Sequence, residues 1–180
     1  MSQNPPNKYS PLWISLHWAI ALFLLVEFLL GLSTRYLAQE YWMSLVSWHM
    51  PLGILILLLM IIRIIVRNRT PHPEPATAGN VILDKIGVVT HYLLYILAVI
   101  LPISGMLLSI SYGISPIQSD FISSLRWVPN MHRLIAPAFG LLILLHIGAA
   151  LYHQVIRKDQ LLSRMWYGCL LYTSPSPRDP

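Results

Sequence analysis

The chain has 180 residues, 56% of them apolar and 11% charged, with a formal net charge of +5. A soluble domain carries about 25% charged residues, so the deficit excludes an ordinary soluble enzyme and indicates a polytopic membrane protein built as one compact unit. The positive balance does not indicate nucleic acid, because the basic residues lie at the ends of apolar runs rather than along one stripe. The single cysteine, Cys169, excludes a disulfide framework and a CxxCH site for covalent haem attachment.

In chain order, the start "MSQNPPNKYSPLW" lacks the basic opening, short apolar core and cleavage site of a secretory signal, so the first apolar run, residues 12–32, is expected to stay as a span. It holds His17 near its start and Glu27 in its middle, about 80° from His17 by helical rotation and with no role assigned. The second run, 45–66, holds His49 near its start. The Pro-rich connection "RNRTPHPEPATAGN" reads as a polar loop in which His72 is solvated. The third run, 88–110, opens beside His91 and contains Pro102. The fourth, 131–152, contains His132, Pro137 and His146 and runs up to His153.

Each run approaches the roughly 20 residues that cross a bilayer core, where only helices satisfy the backbone of such segments. The predicted fold is all-α, a four-transmembrane-helix bundle over residues 7–165. The stretch "YGCLLYTSPSPRDP" is Ser/Pro-rich without helical period, so residues 166–180 read as a tail foreign to the fold, and no function is placed on it or on Cys169. The N-terminus, the second connection and the C-terminus carry Lys8, Arg63, Arg67, Arg69, Lys85, Arg157, Lys158, Arg164 and Arg178. The other side and its helix margins hold Arg35, Arg126 and Arg133. By the positive-inside rule both termini are expected to be cytoplasmic, with Trp42, Trp48 and Trp127 in the outer aromatic belt and Trp13 and Trp18 near the inner one.

The histidines sort by depth. Fourteen residues bring His146 to within roughly 40° of His132 on one helix face, about 21 Å along the axis. His17 and His146 share a depth near the inner surface, and His49 and His132 share one near the outer. Two neutral imidazoles facing each other across a bundle suit a six-coordinate haem iron, and small residues nearby (Ala19, Gly53, Gly148, Ala149) would let a flat macrocycle approach the backbone. Zinc fits less well, since it takes four ligands at one point. A histidine that merely bridges helices by hydrogen bonds is the plain alternative for any one of the four. Ionisable residues inside a membrane are nevertheless functional candidates by default, and four at two matched depths point to paired ligands. His153 lies too far along its helix to match a partner.

The segments "NKYSPLWISLHW", "WHMPLGILILLLMIIRIIVR", "THYLLYILAVILPISGMLL" and "MHRLIAPAFGLLILLHIGAALYH", with "KDQLLSRM" after them, resemble the bacterial cytochrome b561 family over about residues 7–165. The resemblance implies two non-covalent b-type haems in a bacterial inner membrane, with His17 and His146 as the inner axial pair and His49 and His132 as the outer. It implies transfer from an outer-face donor to ubiquinone or another quinone near the inner haem. It thus implies a quinone-reducing oxidoreductase whose donor is a small anion such as superoxide or a periplasmic redox protein. At the inner boundary His91 and His153 are candidates to bond a quinone or relay a proton; as simple interfacial histidines they would do neither. At the outer face Arg126 and Arg133 are candidates to attract an anionic donor, or else to pair with haem propionates or Asp120. Two other readings stay open: a membrane-anchor subunit of a periplasmic dehydrogenase or hydrogenase, and a histidine-lined metal or proton transporter. The partners expected are lipid, quinone and the donor, and no nucleic acid.

Overall fold

The structure, a computed structural model, describes residues 8–37, 39–77, 79–124, 127–159 and 161–167. Helix α1 (Pro11–Tyr36) starts where Ser10 accepts a side-chain bond from Trp13 N at 3.3 Å and Pro11 supplies a helical φ with no donor to satisfy. A 3₁₀ turn (Gln39–Tyr41) leads into α2 (Trp42–Arg69). Asn80 caps α3 (Val81–Ser111), its Oδ1 accepting from Ile82 N at 2.8 Å and Leu83 N at 3.5 Å. A short α4 (Asp120–Ser124) precedes α5 (Val128–Tyr152), which loosens into a π-helical turn, His153–Arg157. That turn ends at Lys158 in the left-handed conformation (φ 55°), and a 3₁₀ turn, Leu161–Met165, follows.

Four helical segments are long and apolar enough to cross a membrane, and the described residues contain no strand. The four-helix architecture expected from the sequence is therefore present. The helices are longer than the apolar runs: α3 begins at Val81 rather than Val88, and α2 spans Trp42–Arg69 rather than 45–66. Hydropathy marks the hydrocarbon, whereas the helix itself runs on until a cap stops it. All of α2, α3 and α5 continue through their internal prolines, Pro51, Pro102 and Pro137.

α1 packs on α2, α2 on α3, and α3 on α5. Between them Ile20, Ile56, Met60, Ala98 and Phe139 form a buried apolar plug, with Phe28 tilted against Phe139 at a centroid distance of 6.0 Å. Leu22, Leu25, Leu29, Leu58, Leu141 and Leu144 point outward and are exposed. In a bilayer those faces meet lipid, where no hydrophobic force drives helices together and close packing holds the bundle instead.

One end of the bundle, called the near end below, gathers the N-terminal segment, the α2–α3 connection and the C-terminal turn. Tyr9 N donates to Arg164 O (3.4 Å), Trp18 Nε1 to Met165 O (2.8 Å) and Arg164 to Glu74 O (3.1 Å). Ser15 Oγ also bonds the Tyr167 hydroxyl. Trp13, expected in an interfacial belt, is buried at 4% exposure, while Trp18 remains 40% exposed.

Candidate functional site: two histidine pairs at opposite ends

The first turns of α1 and the last turns of α5 bring His17 and His146 together at the near end, with ring centroids 6.3 Å apart and planes at 70°. The start of α2 and the start of α5 do the same for His49 and His132 at the far end, 6.2 Å apart with planes at 88°. The apolar plug lies between the two pairs. The structure therefore brings together the same partners that depth along the helices suggested. Two imidazoles on opposite sides of one metal ion have ring centres about 6.2 Å apart, given a metal–nitrogen bond of about 2 Å and a nitrogen about 1.1 Å from its ring centre. Both pairs fit that spacing. Among the described residues, no group of three or more His, Cys, Asp or Glu is arranged to hold a bare metal ion.

The surroundings of the far pair set the tautomer of His132. Ser104 is fully buried, donates to Leu101 O at 2.7 Å, and so presents its oxygen to His132 Nδ1 at 2.9 Å. His132 Nδ1 must then carry the proton, leaving Nε2 bare for a metal. Glu27 Oε1 lies 3.2 Å from His49 Nδ1, close but off the hydrogen-bond direction, so Glu27 Oε2 and His49 Nδ1 are both buried without a formed bond. Glycines make the room. A Cβ at Gly31 would stand 3.3 Å from His49 Cε1, one at Gly105 3.2 Å from His132 Cε1, and one at Gly53 3.0 Å from Glu27 Oε1. Sequence reasoning singled out Gly53 for a different purpose and missed Gly31, Gly105 and Ser104. A Cβ at Gly148, by contrast, would meet nothing within 4 Å.

The near pair has company of another kind. The His91 ring stands edge-on to His146 at 5.1 Å, and its Nδ1 donates to Gly87 O at 2.7 Å, so Nε2 is the free nitrogen. His91 thus belongs beside the near pair rather than simply at the boundary. His153 does not join it: Asp159 Oδ2 bonds its Nδ1 across the π turn. Desolvation pushes the Asp159 carboxyl up, but the bonds from His153 and Leu161 N outweigh it and hold the group below its ordinary value. Arg63, expected as a cation marking a helix end, is instead buried within α2.

At the far end Arg133 directs its guanidinium to the Tyr112 hydroxyl at 3.4 Å and is exposed. No contact with Asp120 accompanies it among the described residues. Arg126 lies outside the described residues, as do Cys169 and the tail from residue 168. His72 is exposed, its ring stacked over Trp13 at 6.5 Å.

Four membrane-length helices with histidine pairs at two depths have the form of a membrane cytochrome of the b type. The family described as prokaryotic cytochrome b561 matches residues 8–168, and the chain belongs to it. It is 31% identical over 172 residues to a Yersinia pestis protein named "Probable superoxide oxidase CybB", covering 88% of this chain and 96% of that one. It is 33% identical over 172 residues to cytochrome b562 of Cereibacter sphaeroides (92% and 98% covered), and 28% identical over 177 residues to cytochrome b561 homolog 1 of Escherichia coli (88% and 97%). The protein is accordingly a bacterial membrane cytochrome that binds haem b and serves electron transfer.

Proposed function

We propose that the chain carries two haems, one per histidine pair, and conducts electrons from a donor at the far end to a quinone at the near end. His17 and His146 would hold one haem, and His49 and His132 the other. The observation that carries this reading is the pair of edge-facing imidazole contacts, 6.3 and 6.2 Å between centres, each spanning two helices at a different depth. When bound, haem supplies reversible one-electron chemistry at iron.

The chain's own residues do the rest. The helices fix each imidazole pair, and the Ser104 oxygen and Glu27 carboxyl bias the far imidazoles toward the tautomer a metal needs. Phe28, Ile56 and Phe139 keep water out of the interval between the pairs. With both termini on the cytoplasmic side, the near end is where a quinone takes up protons. His91, with Nε2 free, is placed to hold one there. His153, tied to Asp159, serves the C-terminal turn first.

At the periplasmic far end Arg133 supplies local positive potential that raises the encounter rate of an anion. The relative named as a superoxide oxidase makes superoxide the candidate donor for this chain as well. Visible spectra of the purified protein, oxidised and dithionite-reduced, test the reading. A low-spin b-type α-band is expected, with His49→Ala removing one half of the haem and His146→Ala the other. If each substitution emptied both sites while the bundle stayed helical, separate pairs would be untenable. Reduction of the isolated protein by superoxide tests the donor.

A further inference from the structure

Arg63 occupies an unusual position for a charged side chain. It lies inside a membrane-length helix at 9% exposure. Its Nε donates to the Tyr95 hydroxyl at 3.1 Å, and its guanidinium lies over the Trp13 ring at 5.1 Å and the Tyr95 ring at 5.8 Å. Its Nη1 is buried and bonds nothing. One turn along the same face, Arg67 lies over the same two rings, 5.9 Å from Trp13 and 5.3 Å from Tyr95. Two guanidinium groups thus share one aromatic clamp, and among the described residues no carboxylate reaches either.

A buried charge without a counter-charge costs several kcal/mol, and stacking on two rings returns only part of that. The geometry therefore calls for an anion, and the location says which. Trp13 precedes His17 by one turn of α1, and Tyr95 follows His91 by one turn of α3. The oxyanion that belongs in that place is a carboxylate on the edge of whatever the near pair holds. An anionic lipid headgroup offers similar chemistry, but the burial of Nη1 beneath two rings separates it from the membrane surface.

We infer that Arg63, flanked by Arg67, forms a carboxylate-binding site that captures a propionate of the haem proposed between His17 and His146. The inference rests on that haem reading and adds to it how the macrocycle is oriented and how the near site is tuned. A planar guanidinium with a free, buried N–H makes the charge-assisted bond that a carboxylate accepts best. Fixed positive charge beside the near pair also favours its reduced state over its oxidised one.

The test is reconstitution of apoprotein in phosphatidylcholine nanodiscs with haem b or its dimethyl ester, which lacks the carboxylates. The near site is scored as the spectral component that His146→Ala removes, and the far component serves as the folding control. Esterification is expected to weaken near-site binding to wild type by about tenfold or more, the scale of one charge-assisted bond. Arg63→Gln with haem b should lose a similar factor, and esterification should then cost that variant nothing further. Arg63→Lys should recover part of the loss.

Equal affinity of wild type for haem and ester overturns the inference, as does an equal ester penalty in wild type and Arg63→Gln. The wild-type comparison decides the matter even if Arg63→Gln does not fold. Near-site affinity that ignores esterification but rises with added phosphatidylglycerol overturns it in favour of a lipid headgroup. A wild type that lacks any near component defeats the two-haem reading itself. A near component indifferent to its carboxylates defeats this inference alone.

Discussion

The two ends of the bundle present the same pair of imidazoles in opposite settings. At the far end His49 and His132 sit against glycines, with a serine oxygen on His132 Nδ1 and the Glu27 carboxyl 3.2 Å from His49 Nδ1. At the near end His17 and His146 stand beside a third imidazole, His91, and an aromatic clamp holding Arg63 and Arg67. Acceptors on the rings raise ligand basicity and favour oxidised iron, while cations nearby favour reduced iron. Under the two-haem proposal, these settings would make transfer from far to near downhill with imidazoles at both ends.

Space separates the ends most sharply. Gly105→Leu is expected to displace His132, which stands 3.2 Å from where even a Cβ would lie, and so to abolish the far haem while sparing the near one. Gly148→Ala, with nothing within 4 Å of the new methyl, should keep both. Haem-to-protein ratios read both outcomes; equal losses would break the comparison.

Charge comes next. Glu27→Gln exchanges the buried carboxyl 3.2 Å from His49 Nδ1 for an amide and should favour reduction at the far site by at most about tenfold in the equilibrium constant. The near site should not move. Spectroelectrochemistry at the two α-band components measures this, and a shift at the near component would contradict it.

Ser104→Ala removes a neutral contact of 2.9 Å from His132 Nδ1 and should act in the same direction by less, about 1 kcal/mol at most. The smallest effect is expected outside the bundle. Asp159→Asn should leave both haem sites unchanged and loosen only the turn at His153–Arg157. Because the Asp159 carboxyl is held below its ordinary value, its contribution is complete above the ordinary carboxylate range and fades as pH falls through its lowered value. Amide exchange over residues 153–159 as a function of pH checks this. A turn that firms as pH falls would contradict it.

Much of this arrangement is legible in the sequence because a membrane restricts the choices. Apolar length gives the four helices, and the 14-residue interval from His132 to His146 gives two depths on one face. What stays hidden depends on which helix faces meet. Arg63 ends an apolar run and looks like a topology signal, and only the packing of α2 against α1 and α3 places Trp13 and Tyr95 around it. Glu27 could be recognised as a mid-span acid, but its partner His49 belongs to another helix whose rotation no single sequence specifies. Gly31 and Gly105 gave no signal of their own, since glycine is common in membrane helices for several reasons.

A potentiometric titration of the intact protein, followed in the α-band, tests the central claim most directly. Two separate one-electron steps are predicted, and the component that His146→Ala removes is the one reduced at the higher potential. A single step from one haem, or two steps with the His146-dependent component at the lower potential, would contradict the account.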